Sequence, residues 1–350
     1  MKNLFKNLSL ALLSVIFTFT AIEIILRFFP VADTVPRMPM NKTQILAKFY
    51  PNEEVTYSLG WNFYQVSHKR TNNDGFYNDL NYKTNPDKPV IAVIGDSFVE
   101  AMQVDNNETF FELLQKDFPQ YYFYSFGASG AQLPTYLTFA KYAVSKYHAK
   151  KLIFVIINND FDESFWEYKV YPGFQYFTKD GKIYTVYYQP SIIRRTLRHF
   201  ALVRYLFFNL QINRIIWQLE QKVAYENKTK EKKRIVDAKK AVDIFFELLR
   251  KEIKLPHKDI IFVVDAPREL IYKNELNEVK KTYFGILRNY FMEKAKKDGY
   301  TVIDMLPIFV DYYRKYHKRY EFPTDAHWNE WGHYVVFQTL QKLLNSEKSF

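Results

Sequence analysis

The stretch that decides the fold covers residues 89–104 and reads PVIAVIGDSFVEAMQV. Its apolar run, residues 90–94, is short and unbroken, which is typical of a strand buried on both faces of a parallel sheet. The run stops at Gly95, Asp96 and Ser97, and a helix-like segment follows. Ser97 is therefore expected at the carboxyl end of a strand and beside a helix N-terminus, where open α/β sheets bind ligands and a backbone N–H can receive negative charge. A simple N-cap is the alternative role for this serine.

Further apolar runs of strand length follow along the chain, at residues 122–126, 152–157, 260–264 and 301–303. Helix-like stretches separate them, for example residues 108–116 and 137–147. Strands that alternate with helices predict a parallel sheet covered by helices on both faces. The sequence therefore predicts a three-layer α/β domain over residues 89–350, with a parallel five-stranded sheet.

The alternation breaks between about residues 161 and 254, which predicts a largely helical insertion. Within it, the segment TKDGKIYTVYY predicts a β-hairpin around Asp180 and Gly181. Residues 191–223 predict one long basic helix, and residues 226–240 predict a solvated helical face. Arginines alternate with apolar residues in the long helix, which suits a membrane surface or the cover of an active site. Packing on its own domain is an equal alternative.

The N-terminus, residues 1–30, predicts a membrane anchor. Lys2 and Lys6 precede a run without charge at residues 8–22, and the apolar character continues to about the 20 residues that cross a bilayer. Glu23 and Arg27 lie one helical turn apart and can pair near an interface. Because no cleavage site follows, we expect an uncleaved signal-anchor, with residues 31–88 as a stalk and lead-in. The alternative is a buried helix of a globular domain.

The two lysines favour a single-pass topology with the body outside the cytoplasm, in the periplasm or at the cell surface. Basic residues on the far side of the run argue against this topology, namely Arg27, Arg37 and Lys42. The net charge of +11 favours anionic lipid or acidic polysaccharide, and no nucleic-acid-binding motif is present, so no nucleic-acid partner is predicted. The chain has no cysteine, which excludes disulfides, thiol catalysis and cysteine-bound metals.

A serine nucleophile needs a base, and the chain offers seven histidines. His327 lies in a dense polar cluster, FPTDAHWNEWGHYVVFQTLQKLL, just before an amphipathic helix expected to begin around Asn329. Asp325 is two residues away in an extended segment, so its carboxylate can hold one tautomer of the His327 ring. His333 falls inside the helix and is expected to pack or cap there.

Acyl transfer also needs hydrogen-bond donors for an oxyanion. The segment YSFGASGAQLP after the second strand contains two glycines whose backbone N–H groups can face a site. The segment VIINNDFDES after the third strand ends its apolar run at Asn158 and Asn159, and an amide side chain can donate to an oxyanion. Polar clusters at successive strand ends indicate one shared site.

Taken in order, these segments resemble the SGNH (GDSL-like) hydrolase superfamily. Gly95-Asp96-Ser97 matches its nucleophile block, and DAHWNEWGH matches its final block. Gly130 of GASG matches the glycine block and Asn159 of NND the asparagine block. The likeness covers roughly residues 70–342, with the insertion unmatched, and the lead-in RTNNDGFYND is similar to that of membrane-anchored bacterial members.

The resemblance implies a flavodoxin-like sheet and ester hydrolysis or acyl transfer. It assigns Ser97 as nucleophile, His327 as general base and then general acid, and Asp325 as the residue that orients His327. The N–H groups of Ser97 and Gly130 and the amide of Asn159 would form the oxyanion hole. Two residues differ from those usual in the family, Thr324 and Ala101.

The common acid position, three residues before the histidine, is Thr324 here, so the motif is Asp-x-His. This variant is familiar among exported polysaccharide O-acetyltransferase-like relatives. Ala101 replaces a frequent glycine and is expected to narrow the room near the nucleophile. An α/β-hydrolase elbow is disfavoured because Val99 occupies the last position of G-x-S-x-G.

Three functions stay open at this point. The first is a serine esterase acting on an O-acylated cell-envelope glycan or lipid, and the second is an O-acyltransferase that passes the acyl group to a polysaccharide hydroxyl, with a membrane acyl donor as partner. The third is a non-catalytic envelope glycan-binding protein. No cofactor and no metal are predicted; a metal hydrolase using Asp160, Asp162 and Glu163 lacks a supporting histidine cluster.

Overall fold

The computed structural model describes residues 2–33, 35–168, 170–212 and 228–347. Contacts between Cα atoms divide the chain into two compact units. The anchor unit is built from Met1–Pro36, Glu54–Lys69 and Pro190–Glu226. The sheet unit is built from Arg37–Glu53, Arg70–Gln189 and Asn227–Phe350. The boundaries expected from the sequence, 1–30, 31–88 and 89–350, stay a prediction.

The sheet unit contains a parallel five-stranded sheet, which confirms the predicted fold class. Its strands are β1 (Val90–Gly95), β2 (Tyr122–Gly127), β3 (Lys151–Ile156), β4 (Ile260–Val264) and β5 (Thr301–Asp304). Their spatial order is β2-β1-β3-β4-β5, which is the flavodoxin-like order. After β2 has been added on one side of β1, the later strands are added on the other side. Each predicted run begins and ends within one residue of its strand. The strands β1 to β4 are almost wholly buried, which accounts for their apolar residues, whereas the edge strand β5 is half-buried.

Helices cover both faces of this sheet. They are α1 (Ser97–Glu100), α2 (Phe110–Asp117), α3 (Leu133–Tyr147), α4 (Lys228–Glu252), α5 (Arg268–Tyr272), α6 (Tyr283–Lys297), α7 (Met305–Tyr316) and α8 (Glu330–Glu347). Side chains of β1 alternate between the two faces, since Ala92 and Ile94 belong to the core that includes α3, α4 and α6. Ile91 and Val93 belong to the core that includes α2, α7 and α8. This is the three-layer arrangement expected from the sequence.

Two hairpins accompany the sheet. The insertion hairpin pairs Phe174–Phe177 with Ile183–Val186, which confirms the predicted turn around Gly181. The final hairpin pairs Glu321–Phe322 with Asp325–Trp328, where the sequence had indicated only a loop. Its strands are short and mix polar with apolar residues, so they carry no apolar run that would reveal them.

The predicted long helix at residues 191–223 is wrong over the part that the structure describes. The chain forms a lateral helix, Ile192–Leu197, then a second short helix, Ala201–Arg204, followed by one π-helical turn, Tyr205–Asn209. The remaining residues of that prediction, 213–223, lie outside the described residues. Residues 228–240 of the other predicted helix are helical, but Ala238 is fully buried, so this face is not wholly solvated.

The anchor unit begins with the anchor helix, Lys2–Leu26. The segment Asn3–Leu26 has a mean hydropathy of 2.2 in its most apolar window, and no residue of that window is buried. Within the described residues this is the one helix long and apolar enough to span a membrane. The anchor hairpin, Glu54–Leu59 and Gln65–Arg70, completes the unit together with the short helices; its second strand places polar residues at the buried positions, which hides its alternation in the sequence.

Gly127 allows β2 to pack directly on the backbone of α1. A Cβ atom at this position would lie 2.3 Å from the Glu100 nitrogen and 2.6 Å from the Val99 carbonyl carbon. Gly127→Ala should therefore force the two backbones apart and lower the free energy of unfolding by about 1–3 kcal/mol. Urea unfolding measures this loss, and an unchanged midpoint would contradict the close packing.

Candidate functional site

Ser97 lies where the sequence predicted it, at the carboxyl end of β1 and in the first turn of α1. Asp96 is the N-cap of this helix, because its Oδ1 accepts the Phe98 N–H at 3.0 Å. The Ser97 hydroxyl is half-buried and donates to Asp96 Oδ2 at 3.1 Å. The aspartate of the Gly-Asp-Ser sequence thus caps the helix and also holds the serine side chain.

A second buried carboxylate lies beneath this turn. Asp160 Oδ1 accepts the Tyr136 hydroxyl at 2.7 Å, and its Oδ2 accepts the Ile157 N–H at 2.7 Å. Burial raises the pKa of Asp96 to about 6, against attraction by His327. Burial and repulsion by Asp96 together hold the pKa of Asp160 well above its usual value. The two neighbouring groups therefore favour a state in which at least one of them is protonated.

Replacing Asp96 by asparagine should change how stability depends on pH. Because the folded pKa of about 6 lies above the ordinary 3.8, the folded protein binds more protons in this window, and the free energy of unfolding falls as pH rises through it. Asparagine still caps a helix but does not titrate. As pH rises from about 4 to about 7, the free energy of unfolding of Asp96→Asn should increase relative to that of the parent, by up to about 3 kcal/mol. Urea unfolding at both pH values measures the gain, and a constant difference would contradict it.

The final hairpin brings Asp325 and His327 together. The Asp325 Oδ1 atom contacts His327 Nδ1 and also accepts the His327 backbone N–H at 2.9 Å. A carboxylate can only accept, so the shared proton belongs to Nδ1 and leaves Nε2 as the free basic nitrogen of the ring. The prediction that these two side chains reach the same side of an extended segment agrees with this geometry.

The hairpin lies against the serine turn. The His327 ring is 5.1 Å from the ring of Phe98, the residue after Ser97, between centroids. Trp328 is buried, packs edge-on against Phe98 at 5.0 Å, and donates from Nε1 to Asp265 Oδ1 at 3.2 Å. These contacts hold the His327 segment at the end of β1 that carries Ser97.

Gln103 also belongs to this group, although the sequence analysis did not single it out. Its Nε2 lies 3.1 Å from His327 Nδ1 and 3.4 Å from Asp325 Oδ2. A glutamine six residues after the serine has no signature of its own. The amide reaches the acid and the histidine only because the two chain segments meet in the fold.

The loop after β2 presents Gly130 beside the serine strand. Gly130 has φ of +90°, a left-handed conformation that favours glycine. The preceding residue is held on both sides, since the Ser129 N–H donates to Glu100 and the Ser129 carbonyl accepts from Arg37 Nη2 at 2.8 Å. In a planar trans peptide the Ser129 C=O and the Gly130 N–H point in opposite directions. Arg37 therefore determines the direction of the Gly130 N–H.

Arg37 and Glu100 are both distant in sequence from this loop and were not predicted as site residues. Glu100 is buried, which raises its pKa, while the Arg37 charge opposes that rise. Burial likewise lowers the pKa of Arg37. The guanidinium carbon of Arg37 lies 4.6 Å from the centre of the Phe174 ring, in the insertion hairpin. A residue expected in a stalk thus supports the glycine loop.

Asn159 lies after β3, on the other side of the serine strand from Gly130. It is half-buried in a short 3₁₀ turn, Asn158–Asp160, whereas Asn158 is exposed. Since β2 and β3 both flank β1, the loops that carry Gly130 and Asn159 flank Ser97 from both sides. The partial burial of Asn159 favours it over Asn158 as the inward-facing amide.

The remaining predicted residues take structural positions. His333 is buried and stacks on Phe110 at 5.9 Å, which agrees with the packing role expected for it. Ala101 ends α1 in a left-handed conformation with φ of 49°, a conformation that favours glycine. Asp162 is bound by Arg234 and by the Tyr283 hydroxyl at 2.6 Å.

Among the residues that the structure describes, no group of three His, Asp or Glu side chains is arranged to hold a metal ion. Asp160 and Asp162 of the alternative metal site are each engaged by the hydrogen-bond donors described above. These two carboxylates serve the packing of the 3₁₀ turns that follow β3.

Comparison with known proteins gives matches among solved structures. No protein-family model and no curated protein matches the chain. A member of the lipolytic protein G-D-S-L family from Veillonella parvula matches with a TM-score of 0.40 and 11% identity, over 73% of this chain and 98% of that one. An acetyl xylan esterase matches with a TM-score of 0.42 and 15% identity, over 73% and 98% of the two chains. A lipase from a goat rumen metagenome matches with a TM-score of 0.42 and 11% identity, over 73% and 97%.

Proposed function

We propose that this protein is a serine esterase that removes acyl groups from an O-acylated cell-envelope glycan or lipid through an acyl-enzyme. The observation that carries the proposal is the position of His327. Its Nδ1 is occupied by Asp325, and its ring lies against Phe98, the neighbour of the serine. A serine at a strand end, a base oriented by a carboxylate and flanking N–H donors are the parts that acyl transfer requires.

In the first half of the reaction, Ser97 Oγ attacks the acyl carbonyl carbon while His327 Nε2 takes the hydroxyl proton. The Ser97 hydroxyl must first rotate from Asp96, to which it donates in the free protein, toward His327. Collapse of the tetrahedral intermediate breaks the ester C–O bond, and His327 returns the proton to the leaving alcohol. Water then repeats the sequence in place of the alcohol and releases the carboxylic acid and free Ser97.

The negative charge of each tetrahedral intermediate needs preorganised donors. We assign them to the N–H groups of Ser97 and Gly130 and to the side-chain amide of Asn159. The loops on both sides of β1 support this assignment. The positive end of α1 adds little, because a helix of four residues has a small dipole.

The direct test is labelling with a fluorophosphonate probe followed by peptide mapping. The full-length protein in detergent should carry one adduct on Ser97 and should cleave short activated acyl esters. Labelling of Ser129 or another serine would overturn the assignment, and absence of both labelling and hydrolysis would favour a glycan-binding protein. Incubation with an acyl donor and a glycan acceptor separates release of free acid from formation of an acylated glycan, the product expected of a transferase.

Arg37 offers a test of the oxyanion loop that does not touch the reacting atoms. Arg37→Met keeps an apolar stem against Phe174 but removes the donor to the Ser129 carbonyl. The Gly130 N–H then loses its fixed direction, so we expect kcat to fall about tenfold while KM changes less than about twofold. Arg37→Lys retains a donor and a charge and should recover part of kcat. A rise in KM at unchanged kcat would instead indicate that Arg37 binds substrate.

A further inference from the structure

The anchor helix ends against the two short helices of its own unit. The Glu23 carboxylate accepts the Ala201 N–H at 3.0 Å and the Leu202 N–H at 2.9 Å, and so caps the second short helix. Arg27 pairs with Glu23 at 2.9 Å and donates to the His199 carbonyl at 3.4 Å. These bonds fix the segment that contains the lateral helix at the point where the apolar helix ends.

The lateral helix presents apolar side chains to its surroundings. Every residue of Ile192–Leu197 is exposed, including Ile192 at 83% and Ile193 at 70%. Ile193 and Leu197 lie one helical turn apart and form an apolar stripe, and the exposed Phe200 follows just after the helix ends. A helix of six residues is marginal in water without packing, so this helix needs a surface that covers it.

Other exposed aromatic side chains of the same unit lie beside the end of the anchor helix. Phe28, directly after that helix, is 84% exposed, and Trp61 in the turn of the anchor hairpin is 74% exposed. The turn is tied to the short helices because the Tyr205 hydroxyl donates to the Trp61 carbonyl at 2.8 Å. Tryptophan and other aromatics are enriched where membrane helices leave the bilayer.

The lateral helix also carries positive charges beside its apolar stripe. Arg194, Arg195 and Arg198 lie next to the stripe, and Arg194 and Arg195 are exposed. Arginines beside an apolar stripe are typical of helices that lie in the headgroup region of anionic bilayers. Contact with a second protein is the alternative cover for such a surface.

From these observations we propose that the lateral helix lies in the membrane interface and binds anionic phospholipid headgroups. The exit surface comprises Phe28, Trp61, Ile192, Ile193, Leu197 and Phe200, with the three arginines at its edge. The proposal requires the anchor helix to span the membrane and is independent of the proposed catalysis. In this proposal the anchor unit contacts the membrane through two elements, the anchor helix that spans it and the lateral helix that lies parallel to its surface.

The absence of cysteine from the chain allows a clean test with single-cysteine variants of the full-length protein. Three positions are labelled with an environment-sensitive fluorophore in nanodiscs of phosphatidylcholine and phosphatidylglycerol. Ile193→Cys reports the lateral helix, Ile16→Cys reports the anchor helix, and Val236→Cys, an exposed aliphatic position in the sheet unit, is the matched control. Nitroxide-labelled lipid and acrylamide serve as quenchers from the lipid and the aqueous phase.

We expect lipid nitroxides to quench the Ile193 and Ile16 labels, and acrylamide to quench the Val236 label. An Ile193 label that behaves like Val236, while Ile16 remains in lipid, would overturn the proposal and leave the anchor intact. An Ile193 label shielded from both quenchers would show that protein, such as a second copy, covers the surface, and would also overturn it. A water-exposed Ile16 label would remove its premise.

The charge requirement has its own readout. With the parental arginines, lipid quenching at Ile193 should be at least roughly twofold stronger in discs that contain phosphatidylglycerol than in discs of phosphatidylcholine alone. The combined variant Arg194→Gln, Arg195→Gln and Arg198→Gln should quench equally in both kinds of disc. Equal quenching with the parental arginines would overturn the assignment of an anionic lipid as the ligand.

Discussion

Ser97→Ala is expected to lower kcat/KM for short acyl esters by at least roughly a thousandfold, because the acyl-enzyme can no longer form. The fold should survive, since the Asp96 carboxylate still accepts the Phe98 N–H and caps α1 without the serine hydroxyl. Steady-state hydrolysis by the purified full-length protein measures the loss. Covalent labelling by the fluorophosphonate probe should disappear in the same variant.

A matched control separates this effect from general damage. Ser145 lies on the exposed face of α3, in its last turn and away from the carboxyl ends of the strands, and Ser145→Ala should keep full activity. An unfolding midpoint of Ser97→Ala close to that of the parent would show that only the chemistry was lost. Full activity in Ser97→Ala would disprove the acyl-enzyme mechanism.

His327→Ala is expected to lower kcat by about a hundredfold to ten-thousandfold, because the serine loses the base that takes its proton. KM should change little, since the imidazole ring acts on the proton transferred in the transition state and not on the bound substrate. Added imidazole should restore part of the activity if a base in the vacated space is all that is missing. Hydrolysis rates with and without imidazole provide the measurement.

His317→Asn is the control for this histidine. His317 is exposed and ends α7 in a left-handed conformation with φ of 51°, which asparagine also tolerates. This variant should keep the parental rate. Equal losses in the two histidine variants would argue that neither histidine acts as the base. A normal rate in His327→Ala would directly exclude His327 as the base.

The positions of the five central strands could be predicted from sequence because β1 to β4 are almost wholly buried and therefore mainly apolar. The edge strand β5 is only half-buried, but Val302 and Ile303 still mark it as a short apolar run. The break in the long basic helix could not be predicted. It occurs where the Glu23 carboxylate caps Ala201 and Leu202 from far along the chain, and local sequence does not record such a partner. Local helical propensity is a weak guide where a distant residue supplies the cap.

The site divides in the same way. Ser97 and His327 stand in patterned segments, so the roles proposed for them could be predicted from the sequence. Arg37 and Gln103 lie far in sequence from their partners, since Arg37 donates to the Ser129 carbonyl of the glycine loop and Gln103 donates to the Asp325 carboxylate. Each is a common residue without a pattern around it. Only the fold shows that Arg37, far before the first strand of the sheet, reaches the loop after the second strand.

The buried indole of Trp328 has a consequence for motion in the final hairpin. Trp328 packs on Phe98, Phe110 and Phe309 and donates to Asp265, so the strand that carries His327 is tied into the core on one side. Local fraying of that strand would require the core to open with it. Its amide protons should then exchange with deuterium as slowly as those of the central strands, and His327 should keep its position throughout the proposed reaction.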